Sequence, residues 1–156
     1  MRRLGTTSLL LIPLLLVGCG GSRASQRATL LQPDIQIAQL PGSSFQMQYR
    51  GRLSIGYVME VTNRSSEPIR LVQLQLQTVG GGPYVLQSQP IMINQPVPPD
   101  ATVAMTFSVW AFSPGGRLAS IEPATLRGIA HFDSPEGSFQ KIFTQQIVQP
   151  RDGARD

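Results

Sequence analysis

The clearest pattern along this chain is an alternation of apolar and polar positions in two separate stretches. Residues 53–61 place apolar side chains at every odd position, with mostly small or polar residues between them. Residues 102–112 follow the same rule with the same parity. A period of two predicts β-strands with one face on a core and the other towards water. We expect the odd-numbered side chains to be buried, the largest of them being Tyr57, Met59, Phe107 and Val109.

A third stretch, residues 69–78, changes its parity part-way along. Ile69 and Leu71 are odd-numbered, whereas the apolar residues from Val72 onward lie mostly at even positions. One extra residue at Leu71-Val72 produces this shift, because a β-bulge sets two residues of one strand against one of its neighbour. We therefore predict a bulged strand here.

Shorter apolar stretches complete the pattern, and turns rich in Gly, Pro, Asn and Asp separate them. The proline-rich residues 90–99 favour an edge strand, because proline has no N–H to donate to a sheet. No stretch after residue 18 shows a helical period of 3.6 residues. The pattern predicts an all-β domain over residues 33–149, an antiparallel β-sandwich of the immunoglobulin or fibronectin type with about 6–8 strands. The additional strands are predicted at residues 35–40, 84–86, 126–132 and 139–148.

A different pattern occupies the start of the chain. Arg2 and Arg3 precede an unbroken apolar run over residues 9–17. This run is shorter than the ~20 residues that a membrane-spanning helix needs. It fits the apolar region of a secretory signal, which follows a short basic segment. Residues 1–18 are therefore predicted to be a signal peptide.

The end of this run, Leu16-Val17-Gly18-Cys19, resembles the lipobox of bacterial lipoprotein precursors. The resemblance implies cleavage before Cys19, attachment of diacylglycerol to its thiol and fatty acylation of its amino group. It also implies sorting to the outer membrane, because Gly20 rather than aspartate follows the cysteine. We expect a lipid-anchored domain facing the periplasm, with residues 19–32 as a flexible tether and residues 150–156 as a disordered tail.

The turn after the first alternating strand carries a second, fainter resemblance. Asn63-Arg64-Ser65 stands where an apolar strand ends in Asn-Pro-Asn in lipoproteins with a LEA14-like domain. The order of strands and turns up to Val97-Pro98-Pro99-Asp100 and the strand after it is similar to that of many bacterial immunoglobulin-like modules. Together these resemblances cover roughly residues 35–112. They imply a β-sandwich and name no activity.

Charge and residue counts exclude several classes of function. The net charge of +4 falls to +2 once Arg2 and Arg3 leave with the signal, and no basic cluster is interleaved with aromatics, so we expect no nucleic-acid binding. Cys19 is the only cysteine and His131 the only histidine, which excludes the usual zinc sites. His131 and Asp133 share a strand face, but nothing marks a serine as their partner. We expect no catalytic residue, no metal site, no cofactor and no enzymatic activity.

Trp110 and Phe112 are the candidate partner-binding residues. If the odd positions of their strand point inward, these two aromatics lie side by side on the outer face of a sheet. Aromatic side chains so placed are favoured anchors for protein partners. Two alternatives remain open: a bulge near Val109 turns them inward, or Leu118 and Ile121 cover them.

Two functions stay open at this point. The favoured one is an interaction or accessory module of an envelope assembly, anchored to the membrane by its lipid and bound to a protein partner. The alternative is a lipoprotein that binds a small ligand between the sheets or at the loop ends. The first is favoured because the alternation predicts a filled core, whereas a ligand site needs an apolar pocket with converging polar groups.

Overall fold

The computed structural model of the protein describes residues 32–42, 49–115 and 122–148. The predictions for the signal peptide, for Cys19, for nearly all of the tether and for the tail at 150–156 fall outside these ranges. Within them the regular secondary structure is entirely β. The strands are β1 (Asp34–Gln39), β2 (Gly51–Thr62), β3 (Ile69–Thr78), β4 (Val85–Leu86), β5 (Ile91–Val97), β6 (Thr102–Ser113), β7 (Ala124–Ser134) and β8 (Gly137–Ile147).

The eight strands form two four-stranded sheets. The first sheet has the order β1-β2-β6-β4 and the second the order β5-β3-β7-β8, and every neighbouring pair is antiparallel. Consecutive strands from β2 to β7 alternate between the two sheets, so the chain crosses from one sheet to the other at each of these connections. The predicted all-β antiparallel sandwich is confirmed. Of the largest fully buried side chains, Tyr57 comes from the first sheet, Phe132 from the second and Tyr84 from the residue just before β4.

The pairing of β2 with β6 runs through twelve residue pairs without a shift. Its ends are Gly51 opposite Ser113 and Thr62 opposite Thr102. Because the register never slips, odd-numbered residues of both strands face the core and even-numbered residues face outward. The odd residues of β2 are buried as predicted, and so are Val109 and Ala111 of β6.

Phe107 corrects the prediction that all four large odd-numbered side chains are buried. Its ring lies 5.9 Å from the ring of Tyr57, centroid to centroid, yet it is only half-buried. The reason is the shortness of β4, which pairs only with Phe112 and Ala111. Among the described strands, the N-terminal part of β6 therefore has a neighbour on one side only, and Phe107 keeps an open flank.

The predicted bulge in β3 is confirmed. The register of β3 shifts between Leu71 and Gln73 in its pairing with both β5 and β7. As a result the odd residues Ile69 and Leu71 and the even residues from Leu74 onward all point into the core. The proline-rich stretch forms β5, an edge strand, as its composition predicts.

The turn after β2 is held by the side chain of Asn63, which is buried. Its Nδ2 donates to the carbonyl oxygens of Glu67, Val97 and Pro98 at 2.8, 3.3 and 3.1 Å. Its Oδ1 accepts from the backbone N–H and the hydroxyl of Ser65. One amide thus joins the β2–β3 turn to the turn before β6, and both its donor and its acceptor are used.

Met59 and Met105 test this description, because they lie directly opposite each other in the register. Met59 is fully buried, whereas Met105 is half-buried beside the open flank. We expect Met59→Ala to lower the free energy of unfolding by about 2–5 kcal/mol. Met105→Ala should cost clearly less, because part of its side chain is already in water. Denaturant unfolding in dilute solution measures both, and equal losses would contradict the open flank.

Candidate functional site

The two nominated aromatics lie on the outer face of the first sheet. Trp110 and Phe112 occupy even positions of β6 and are 48% and 46% exposed. No bulge interrupts the pairing of β6 with β2, so the alternative in which a shift near Val109 turns them inward is wrong. The other alternative involves Leu118 and Ile121, which lie outside the described residues.

Phe112 is the centre of a row that crosses three strands. Arg52 of β2 lies opposite it on one side and Val85 of β4 on the other. Val85 is 58% exposed, so the row presents two neighbouring apolar side chains to solvent. Single exposed apolar residues are common on proteins, but neighbouring ones form a patch that favours contact with another molecule.

Arg52 also contacts the second aromatic. Its guanidinium carbon lies 4.3 Å from the centroid of the Trp110 ring, although the residue directly opposite Trp110 is Ser54. A guanidinium at this distance is attracted to the ring face, and the contact limits the freedom of both side chains. We call the four residues Arg52, Val85, Trp110 and Phe112 the aromatic patch.

The aromatic patch carries a positive charge that no carboxylate of the described residues on its sheet face neutralises. Among the described residues, the other charged side chains on this face are Asp34 and Glu60. Asp34 accepts a hydrogen bond from Nε of Arg64 at 2.6 Å. Glu60 lies eight residues along β2 from Arg52, roughly 26 Å at the rise of an extended strand. The patch therefore combines apolar surface with one cation.

The patch lies far from the point where the chain enters the domain. Asp34, the first residue of β1, pairs with Thr62 at the end of β2. Arg52 lies ten residues back along the same strand, which places it roughly 33 Å away. Residues that precede the domain thus join the first sheet at the end opposite to the aromatic patch.

An open cleft on the second sheet is the other candidate site. It has a volume of about 280 Å³, and its polar lining consists of Gln73, His131, Asp133, Ser138 and Gln140. The Ser138 hydroxyl donates its hydrogen bond to the carboxylate of Asp133, with 2.6 Å between Oγ and Oδ1. Nε2 of His131 is buried and has no hydrogen-bond partner. These groups come together in space, but the serine is not hydrogen-bonded to the histidine as base-activated attack requires.

A buried polar cluster lies in the core under the first sheet. The hydroxyls of Tyr57 and Tyr84 are 2.8 Å apart, and the Tyr84 hydroxyl donates to Oε1 of Gln39 at 3.2 Å. Burial raises the pKa of Tyr84 to about 12 and raises the pKa of Tyr57 further. Both hydroxyls are neutral at physiological pH and hydrogen-bond to each other, whereas Nε2 of Gln39 is buried without a partner among the described residues.

Metal-binding clusters and membrane-spanning helices are both absent from the described residues. Within them, no group of three or more His, Cys, Asp or Glu side chains is placed to hold a metal ion. The same part of the chain contains no helix long and apolar enough to cross a membrane.

Comparison with known proteins identifies the fold and nothing narrower. No protein-family model matches the chain, and no curated protein matches it. A crystal structure from Bordetella pertussis that carries the name ApaA is similar, with a TM-score of 0.51 and 18% identity over 78% of this chain and 94% of that chain. The solution structure of a protein named as late embryogenesis abundant (LEA) has a TM-score of 0.52 and 15% identity, over 83% of this chain and 78% of that chain. The second similarity is consistent with the resemblance noted at Asn63.

Sequence reasoning found two of the four patch residues. Trp110 and Phe112 follow from the parity of one strand. Arg52 and Val85 depend on which strands flank β6 and in which register, information that a single strand does not contain. The sequence did contain one indication of Arg52: it lies at an even position of the other alternating strand, as Trp110 and Phe112 do on theirs.

Proposed function

We propose that this protein is a lipid-anchored interaction module of a bacterial envelope, without catalytic activity, and that the aromatic patch is its partner-binding surface. The observation that carries the proposal is the exposure of Trp110 and Phe112 beside Arg52 on a regular strand face. The partner is a protein that offers apolar side chains and an acidic group to this surface.

The composition of the patch supports this assignment. Tryptophan, other aromatics and arginine are enriched at the centres of protein interfaces, where a few residues supply most of the binding energy. Their aromatic side chains are rigid, so little conformational entropy is lost on binding. An unneutralised Arg52 next to the rings adds selectivity for a carboxylate, because charge complementarity fixes orientation more than it adds affinity.

The lipid anchor is proposed from the sequence of residues 16–19. Thirteen residues separate Cys19 from Pro33, a span of at most roughly 45 Å when extended. The chain enters the domain at Asp34, at the end of the first sheet opposite to the aromatic patch. A domain held away from the lipid by this tether can therefore present the patch outward. We expect the head to face the periplasm from the outer membrane.

The small-ligand alternative would use the cleft beside His131. Ligand pockets usually enclose most of the ligand within mainly apolar walls. This cleft is open to solvent and would leave much of a ligand uncovered, although Val72, Phe132 and Phe139 lie in its lining beside the polar side chains. The aromatic patch is therefore the better supported of the two surfaces.

The anchor is tested by cell fractionation of Cys19→Ala. We expect the unchanged protein in the outer-membrane fraction and the variant either soluble or uncleaved, because only a thiol can carry the diacylglycerol. Ser22→Ala, a change of similar size three residues away, should fractionate like the unchanged protein. If the unchanged protein and Cys19→Ala are equally soluble, the lipobox assignment is wrong.

The patch is tested by Trp110→Ala, with Ile142→Ala as the matched control. Ile142 is 53% exposed on the second sheet, so the control removes a similarly exposed apolar side chain from another surface. We expect Trp110→Ala to change the free energy of unfolding by less than about 1 kcal/mol, as exposed positions usually do. Protein chains that co-purify with the detergent-solubilised wild type should also co-purify with Ile142→Ala. They should be absent from the Trp110→Ala preparation.

Two results would contradict this assignment. Strong destabilisation of Trp110→Ala in denaturant unfolding would make the residue part of the core. Retention of the same partner chains by a stable Trp110→Ala protein would place the binding surface elsewhere. Mass spectrometry of the natively purified protein also separates the two candidate functions, because the ligand alternative predicts a retained small molecule.

A further inference from the structure

Three of the four edge strands carry features that block the addition of another strand. At the edge of β1, the side-chain amide of Gln145 donates to the Ile37 carbonyl at 2.8 Å and accepts from the Ile37 N–H at 3.0 Å. Strand β5 contains Pro96 and an irregular register, and β8 contains Lys141. Proline, lysine, bulges and covering side chains are the usual protections of sheet edges.

The first sheet has a second edge that lacks such protection. Strand β4 covers only Phe112 and Ala111, and beyond them the N–H of Gln87 donates to the Trp110 carbonyl at 2.9 Å. From Thr102 to Val109 no strand among the described residues lies on this side of β6. These eight residues contain no charged residue, no proline and no bulge.

The bond from Gln87 also establishes which backbone groups point to the open edge. A strand residue directs its N–H and C=O to the same side, and successive residues alternate. Since the Trp110 carbonyl points towards β4, the backbone groups of Ala104, Thr106 and Ser108 point to the same edge. Together they present three N–H donors and three C=O acceptors for which no described residue provides a partner.

The side chains along this edge are incompletely covered on the core side. Val103, Met105 and Phe107 point inward but are only half-buried. Their partners in the β2 register, Val61, Met59 and Tyr57, are fully buried. The difference is the missing neighbour of β6, and a further strand at this edge would cover the three exposed flanks.

We propose that a second copy of this chain binds at this edge, with the two β6 strands antiparallel about a two-fold axis at Thr106. Thr106 then faces Thr106 of the partner subunit as a hydrogen-bonded pair. Ala104 faces the partner's Ser108, and by the same two-fold axis Ser108 faces the partner's Ala104. Up to six backbone hydrogen bonds form, from the three residues whose groups point to the edge.

The register is self-complementary on both faces of the sheet. On the inner face Met105 lies opposite the partner's Phe107, a sulfur–aromatic pair that buries the open flanks of both. On the outer face only small side chains meet. An uncharged strand suits its own copy, because no like charges are brought together across the two-fold axis.

In this register the pairing ends at Val109 opposite the partner's Val103, because Gln87 is already bonded beside Trp110, so the aromatic patch supplies none of the six hydrogen bonds. The dimer would contain a continuous six-stranded sheet, made of β1-β2-β6 and the same three strands of the partner, with β4 beside each Phe112. Both copies of the aromatic patch would lie on one face of this sheet. Loss of partner binding in Trp110→Ala would therefore leave the dimer intact.

Disulfide cross-linking of the detergent-solubilised full-length chain tests the register. Hydrogen-bonded antiparallel pairs have Cα atoms about 5.5 Å apart, within the range of about 4.4–6.8 Å that a disulfide spans. We expect Thr106→Cys to give a covalent dimer on mild oxidation. Ala104→Cys should not, because it lies roughly 13 Å along the strands from its own copy. A mixture of Ala104→Cys and Ser108→Cys chains should give a covalent heterodimer.

Cys19 is the only native cysteine, so the unchanged protein shows any background from it. Equal cross-linking of Thr106→Cys and Ala104→Cys would indicate random collision and overturn the register. Absence of cross-linking in both would do the same.

Thr106→Pro provides the second test. The Thr106 N–H points away from β2, so proline removes no bond within the domain but blocks the open edge. Sedimentation should give twice the monomer mass for the unchanged protein and for Thr106→Val, and the monomer mass for Thr106→Pro, with the same circular dichroism for all three. A monomeric unchanged protein at every concentration, or a dimeric Thr106→Pro protein, would overturn the proposal.

Discussion

The unbroken register between β2 and β6 is the constraint on which the rest of the structure depends. Twelve residue pairs follow one another with the same parity in both strands. One set of side chains fills the core between the sheets, and the other set has to face outward because the strands contain no bulge. The position of Trp110 and Phe112 on the surface is therefore a consequence of the same alternation that buries Tyr57 and Met59.

The same two strands make the sheet asymmetric. On the β1 side, the Gln145 amide satisfies the edge backbone at Ile37, and the core residues of β2 are completely covered. On the β4 side, where β4 has only two residues, most of β6 has no neighbouring strand in the part of the chain that the structure describes. Both surfaces assigned to binding arise on this less covered side, one from outward side chains and one from the strand edge.

Much of the fold could be predicted from the sequence because it depends on local period. The alternation of β2 and β6, the bulge at Leu71-Val72 and the edge position of β5 each follow from a few neighbouring residues. Phe107 shows where this reasoning fails, because its burial depends on the length of β4, which is distant in sequence. Parity specifies the direction of a side chain but not the presence of a strand beside it.

The candidate site was predictable only in part for the same reason. Trp110 and Phe112 come from one strand, whereas Arg52 and Val85 join them only through strand pairing. The roles of two amide side chains also depend on distant partners. Asn63 joins two turns, and Gln145 covers an edge in the opposite sheet. A polar residue in a turn or at an alternating position gives no sign of such a partner.

The fluorescence of Trp110 tests the central claim most directly, because it is the only tryptophan in the chain. If the register between β2 and β6 holds the ring on the outer face, the folded protein should emit at long wavelength, be readily quenched by acrylamide and shift little on unfolding. Arg52→Ala, which removes the contact over the ring, should increase quenching. An emission at short wavelength that resists acrylamide and moves to long wavelength on unfolding would place Trp110 in a dry interior and contradict the account.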